Sequence, residues 1–264
     1  EHPDLFWAIR GGGGNFGVVT SFDYRLRPVP RVLSGQMAFP LGRTREVLST
    51  YRELMRAVPD ELQTSGGVMP SDDGPTLFIA FCHCGDEPAG RQLLSKWRDA
   101  LQPRSHTVGD KPLAAEFTMP SIPSTGTGAF LPELSDDVIR ILSDLFPRAS
   151  RDSMAVWNDY HGAVTRVAAD DAAFPLRTPA FALLVMGGWR AAAERPRAAA
   201  WVRDLRDGLA PHARGVYVNN LEDEGPERIR EAYGPSYDRL GVVKARYDPE
   251  NFFRMNQNIE PAGS

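Results

Sequence analysis

Three stretches of the 264-residue sequence place residue types at spacings that could do chemistry. The first is Arg10-Gly-Gly-Gly-Gly-Asn-Phe-Gly-Val-Val-Thr20, whose consecutive glycines permit positive φ and let the main chain approach a partner closely. Backbone N–H groups laid bare in such a loop can cradle a phosphate or another anion. No Gly-Lys-Ser/Thr follows, which excludes a Walker loop. The glycines lead into a strand-like run and not a helix, which excludes the dinucleotide fingerprint. A tight turn within a sheet is the plain alternative. The second stretch is the tail, where Asn256, Gln257 and Asn258 put three carboxamides in a row. That density suits the donor and acceptor edge of a heteroaromatic ring, and a tail bonded to its own loop is the alternative. In the third, Phe81-Cys-His-Cys-Gly85, Cys82 and Cys84 fall on one strand face and His83 on the other. Such a trio cannot converge on one metal without a bend, so the expectation is a pair of half-buried thiols and no metal site.

The elements that must hold these residues read as an α+β chain, a mainly antiparallel sheet with helices packed on one face. Alternating apolar residues predict strands over 15–27, 33–39, 64–69, 76–84, 153–164, 180–189 and 214–219, with a further one around 105–109. Helical apolar stripes predict helices over 44–58, 88–101, 136–146 and 196–209, and two short ones over 226–233 and 237–247. Residues 111–130, rich in Pro, Ser, Thr and Gly, read as a long ordered loop of the kind that lines binding sites. With 30 basic against 34 acidic residues, nothing in the charge balance recruits nucleic acid or an anionic membrane. All the basic residues except Lys96, Lys111 and Lys244 are arginine, which reflects coding bias. No apolar run approaches the roughly 18 residues that a membrane span needs. A small molecule or another protein is therefore the expected partner.

Two segments together carry a specific resemblance. Asp4-Leu-Phe-Trp-Ala-Ile-Arg-Gly-Gly-Gly-Gly-Asn-Phe-Gly-Val-Val-Thr-Ser-Phe22 and Tyr247-Asp-Pro-Glu-Asn-Phe-Phe-Arg-Met-Asn-Gln-Asn-Ile259 resemble the berberine bridge enzyme-like flavin oxidoreductases of the vanillyl-alcohol oxidase superfamily. Between them, Gly162 to Phe174, Tyr217-Val-Asn219 and Tyr233-Gly-Pro-Ser-Tyr-Asp-Arg-Leu240 match the same family in the same order.

The resemblance implies an FAD enzyme that oxidises an alcohol, sugar or secondary metabolite by hydride transfer to flavin N5, with dioxygen as the usual acceptor. By that correspondence Gly13, Gly14, Asn15, Gly17, Val18 and Val19 contact FAD, mainly through backbone atoms, and Asn256, Gln257 and Asn258 lie near the isoalloxazine ring. Residues 1–30 would close an FAD-binding domain, 31–215 form a substrate domain whose open face covers the flavin, and 216–264 return to the FAD domain. The family's N-terminal FAD-binding half has no counterpart here, so the expectation is a C-terminal portion that binds FAD weakly or not at all, in a cytoplasmic protein. Many relatives carry a catalytic tyrosine where this chain has Asn220, and an amide cannot serve as a general base. Tyr217, Tyr160 and His161 are the remaining candidates, each with a structural role as the alternative. The alternative function is a cofactor-free descendant in which the substrate domain binds a metabolite or catalyses a non-redox step.

Overall fold

The computed structural model describes residues 1–25, 31–112, 122–222 and 225–263, and the chain divides into two compact units. The larger comprises Pro28–Tyr160 and Ala180–Arg214. Its strands are β1 (Arg31–Phe39), β2 (Leu62–Met69), β3 (Thr76–His83), β4 (Ser105–Pro112), β5 (Ser124–Leu131), β6 (Met154–Tyr160) and β7 (Ala180–Gly188). They form one antiparallel sheet in the order β4-β1-β3-β2-β6-β7-β5. A strand period of two sends Leu33, Met37, Phe39, Leu77, Ile79, Phe81, Trp157, Leu183 and Val185 to a single face. There they are buried with the apolar stripes of α2 (Thr44–Met55), α3 (Glu87–Leu101), α4 (Asp136–Leu145) and α5 (Arg195–Leu209). Each such large side chain contributes about 1.5–3 kcal/mol on full burial. Local signals start the helices. Asp86 caps α3 by accepting from the Ala89 N–H at 3.0 Å, and Ser135 caps α4 at the Val138 N–H, with Asp136 and Asp137 favourably placed in the first turn.

Several polar groups inside this core are paired. The Tyr51 and Thr64 hydroxyls lie 2.7 Å apart, Trp157 Nε1 donates to the Tyr51 oxygen at 3.3 Å, and Asp159 Oδ1 accepts from the Thr64 N–H at 2.8 Å. Burial, reinforced by the Asp159 charge, pushes the Tyr51 hydroxyl far above its ordinary pKa. The sheet face away from the helices carries Ser34, Gln36, Ala80, Cys82, Val156, Asn158 and Tyr160. His83, by contrast, is buried on the helix side, where its ring lies so near Gly90 that a Cβ there would come within 2.5 Å of Nδ1. The opposed orientation expected of Cys82 and His83 is thus what the register shows, while Cys84, expected to be half-buried, is exposed.

The smaller unit is assembled from Glu1–Arg27, His161–Pro179 and Gly215–Ser264. It contains α1 (Pro3–Ile9), α6 (Pro226–Tyr233) and α7 (Tyr237–Tyr247) around a core of Trp7, Ala8, Phe16, Val216, Tyr233, Leu240, Val243 and Ile259. The breaks near residues 30 and 215 lie close to those expected, while 161–179, expected within the substrate domain, leaves the sheet after Tyr160 and returns at Ala180, residues that pair across β6 and β7.

Three local expectations also change. The expected loop over 111–130 contains β5, whose alternation is blurred in the sequence by Gly126 and Gly128; residues 113–121 of it lie outside the described residues. The expected strand over 214–219 is an extended approach to a 3-10 turn at Val218–Asn220, with Gly215 at φ +86°. Residues 16–25, the described part of the expected strand over 15–27, pair with no other described strand. Val18, Val19, Phe22 and Tyr24 are exposed there, Phe22 and Tyr24 stacking at 5.5 Å. Alternation specifies two faces but not a neighbour, and a ladder needs both. The helix α1, by contrast, had its start signal in plain view as Pro3 and Asp4 in the first turn.

Candidate flavin-facing site

The glycine run begins where α1 ends. Arg10 and Gly12 donate their N–H groups back to the carbonyls of Trp7 and Ala8, at 3.3 and 2.7 Å, so the run leaves the negative end of the helix dipole. An anion cradle at a helix N-terminus is therefore not what the loop forms. Gly11 sits at φ +137°, and a Cβ there would lie 2.2 Å from the backbone nitrogen of Phe174. Only glycine lets the 161–179 segment come this close, and the Phe174 N–H donates to the Arg10 carbonyl at 3.2 Å.

Beyond it, Gly13–Asn15 make a 3-10 turn whose last residue is fully buried. Asn15 Nδ2 donates to the carbonyls of Gly12 (2.9 Å) and Gln257 (3.1 Å) and approaches the Tyr233 hydroxyl (3.3 Å), while Oδ1 accepts from the Ile259 N–H (2.9 Å). Desolvation pushes the Tyr233 hydroxyl up to about 12, against the opposing hydrogen bond from Asn15. The Asn15 carbonyl accepts from Lys244 Nζ at 2.7 Å. Asn15, expected among the FAD contacts, thus spends its side chain and its carbonyl inside the protein and acts as the joint between glycine loop and tail.

The tail is tied down twice. Asp248, just past α7, accepts the N–H groups of Phe252 (2.8 Å) and Phe253 (2.9 Å) and the Lys244 ammonium. Burial would raise its carboxyl, but those hydrogen bonds, Lys244 foremost, hold it below the ordinary carboxylate range. The second anchor is Ile259, fully buried. Of the two phenylalanines between these anchors, Phe252 is 77% exposed.

The three amides separate. Asn256 lies beside Gly14, where a Cβ would meet its Nδ2 at 2.6 Å, and both line a cavity of about 580 Å³ with Phe252, Phe253, Arg254 and Met255. Gln257 turns away and donates to the Leu221 and Glu222 carbonyls, at 2.9 and 3.1 Å. Asn258 lines a second cavity, of about 520 Å³, with Arg230, Tyr237 and Glu260. Gly14 therefore meets Asn256, Gly13 faces the Tyr233 hydroxyl and Asn15, and Gly17, Val18 and Val19 continue into the unpaired 16–25 segment.

Of the candidate bases, Tyr217 belongs to the smaller unit, partly exposed, its ring edge-on to Phe174 and its hydroxyl accepting from Asn219 Nδ2 at 2.7 Å. Asn220 closes the adjoining 3-10 turn, its N–H donating to the Tyr217 carbonyl at 2.8 Å. His161 opens the 161–179 segment of that unit, and Tyr160 ends β6 of the larger one, edge-on to Phe130. Sequence reasoning passed over Lys244 and Asp248; the signal available was a lysine and an aspartate four apart on a helix end in a chain that otherwise uses arginine.

Residues 216–260 match the family described as berberine and berberine like. The chain is 30% identical to the uncharacterized FAD-linked oxidoreductase YgaK of Bacillus subtilis over 99% of its own length and 60% of that protein's. By these likenesses the chain is a relative of the berberine bridge enzyme-like FAD-linked oxidoreductases. A second relative, (R)-6-hydroxynicotine oxidase of Paenarthrobacter nicotinovorans, is 29% identical over 100% of this chain and 62% of its own length. The fold is shared with BBE-like 1 of Physcomitrella patens, at a TM-score of 0.85 and 17% identity over 100% of this chain and 62% of that one. The chain thus spans about 60% of the length of the family members it matches. Among the described residues no helix is long and apolar enough to cross a membrane.

Proposed function

We propose that this chain supplies the flavin-facing loop and the substrate-side sheet of an FAD-linked oxidoreductase that oxidises a small molecule, an alcohol, sugar or secondary metabolite, with dioxygen as final acceptor. The observation that carries the reading is the meeting of Gly14 and Asn256 at the wall of the 580 Å³ cavity, a gap that a Cβ would fill. FAD, when bound, supplies the two-electron acceptor at N5. Gly13 and Gly14 offer main-chain groups to it, and Asn256 offers a carboxamide able to donate and accept at a ring edge. Asn15 and Gln257 hold those groups in place.

Tyr217 is the residue we assign to proton transfer in place of the tyrosine that Asn220 replaces. Its hydroxyl oxygen receives the Asn219 amide, which leaves the hydroxyl proton directed elsewhere and supports the oxygen as negative charge develops on it.

The test is saturation-transfer NMR of FAD with the purified chain, which detects weak complexes. Saturation is expected at the isoalloxazine protons and is expected to vanish in Asn256→Ala. Saturation confined to the adenine protons, or unchanged in that variant, refutes the reading. Hydrogen peroxide release across alcohols, sugars and amines then assigns the substrate class, with Tyr217→Phe expected to lower kcat.

A further inference from the structure

Lys244 is fully buried, and its ammonium uses all three of its protons: on Asp248 Oδ2 at 2.5 Å, on the Asn15 carbonyl at 2.7 Å and on the Phe253 carbonyl at 2.8 Å. One carbonyl belongs to the residue that follows Gly14, and the other to Phe253 at the root of the tail bulge; Gly14 and Phe253 both line the 580 Å³ cavity. Asp248 completes the arrangement by gripping the N–H groups of Phe252 and Phe253. Four residues on, the chain is gripped again where Asn15 takes the Gln257 carbonyl and the Ile259 N–H. Between the two grips Arg254, Met255 and Asn256 are exposed, Met255 at 97%. A three-residue bulge is thus held by both feet while its tip carries Asn256 to Gly14.

A buried ion pair is a poor way to gain stability, since desolvation consumes most of the Coulomb attraction. What a compact three-proton donor provides here is a fixed separation between two carbonyls that helix α7 would otherwise leave independent. The planar guanidinium that this chain uses almost everywhere else cannot converge three donors on one point.

We propose that Lys244 is a positioning residue that sets the spacing between the glycine loop and the Arg254–Asn256 bulge, and so the geometry with which Asn256 meets a bound ring, without touching the ligand itself. The proposal rests on the reading that Gly14 and Asn256 face the flavin.

Its test combines amide hydrogen exchange on the purified chain with saturation transfer to FAD, in Lys244→Met and in Asp248→Asn. Asp248→Asn keeps the side-chain volume and one acceptor, and so reports even if Lys244→Met fails to fold. Exchange at Phe252, Phe253 and Ile259 is expected to accelerate by about 10- to 100-fold, the loss of one hydrogen bond to a charged group. The amides of α6 are expected to keep their protection, and isoalloxazine saturation is expected to fall to the level of Asn256→Ala. Unchanged exchange at Phe253 and Ile259 overturns the proposal. So does acceleration spread evenly over the smaller unit in both variants, because that marks Lys244 as structural only. If the unmodified chain shows no isoalloxazine response while both variants free the bulge, the positioning role stands and the flavin reading falls.

Discussion

Replacing Asn15 by alanine tests whether one buried carboxamide joins the ends of the smaller unit. The substitution leaves the Ile259 N–H without its acceptor inside the core, at about 1–3 kcal/mol. The Gly12 and Gln257 carbonyls both lose a donor, and the Tyr233 hydroxyl, at 3.4 and 3.3 Å, has one proton for the two of them. A second unsatisfied carbonyl and the small void bring the total to about 3–4 kcal/mol. With a urea slope of about 1 kcal/mol/M for a unit of this size, the midpoint falls by about 3 M. Trp7 is the one tryptophan of this unit, against Trp97, Trp157, Trp189 and Trp201 in the larger, so 5-fluorotryptophan and 19F NMR separate the two transitions in a urea titration. Tyr233→Phe, which removes only long hydrogen bonds, is expected to shift the Trp7 transition by less than about 1 M. An Asn15→Ala shift no larger than that of Tyr233→Phe refutes the reasoning.

The two glycines of the loop should respond oppositely to alanine. Gly11→Ala collides with the Phe174 main chain at a positive φ and is expected to cost about 3 kcal/mol or more in the same titration, whereas Gly14→Ala displaces only the exposed Asn256 side chain, leaving stability within about 0.5 kcal/mol while abolishing the isoalloxazine response. Alkaline pH should weaken the smaller unit through Tyr233. The unfolded chain releases this proton near pH 10 and the folded one near 12, so the unfolded state binds fewer protons in that window and stability falls as pH rises through it. Tyr233→Phe should make this decline shallower, read as the Trp7 urea midpoint between pH 10 and 12. In the larger unit, Tyr51→Phe strands the Trp157 indole N–H and the Thr64 hydroxyl, and should lower the transition of the other four tryptophans by about 1–3 kcal/mol without moving that of Trp7.

Most of the sheet was legible because its strands read as short apolar or alternating runs between turn residues and each helix packed on it carries a one-sided stripe. β5 escaped because its core-facing positions include Thr125, Thr127 and Ala129, only weakly apolar, while Gly126 and Gly128 on the other face give no contrast. Its place at the sheet edge is set by pairing with β7, which no local pattern records. At the candidate site, the sequence brought forward the glycine loop and the tail, which the structure joins through Asn15, but not their division of labour. Asn15 and Asn256 are the same residue type in motifs of equal prominence, yet one is fully buried and the other exposed. That difference is decided by Ile259, Lys244 and Tyr233, whose approach to residue 15 depends on contacts more than 200 positions away in the chain.

The bond from the Ile259 N–H to Asn15 spans 244 positions, which gives the smaller unit a peculiar relation to synthesis. A ribosome delivers its first stretch early, then the whole of the larger unit, and only at the last residues the group that Asn15 awaits. The larger unit can fold first, and its β6–β7 ladder then closes the 161–179 excursion by bringing residues 160 and 180 together before the tail emerges. Until then the glycine loop has no fixed shape to inherit. The effect of ending the chain shortly before Ile259 would therefore be felt most at the glycine loop, more than 240 positions away.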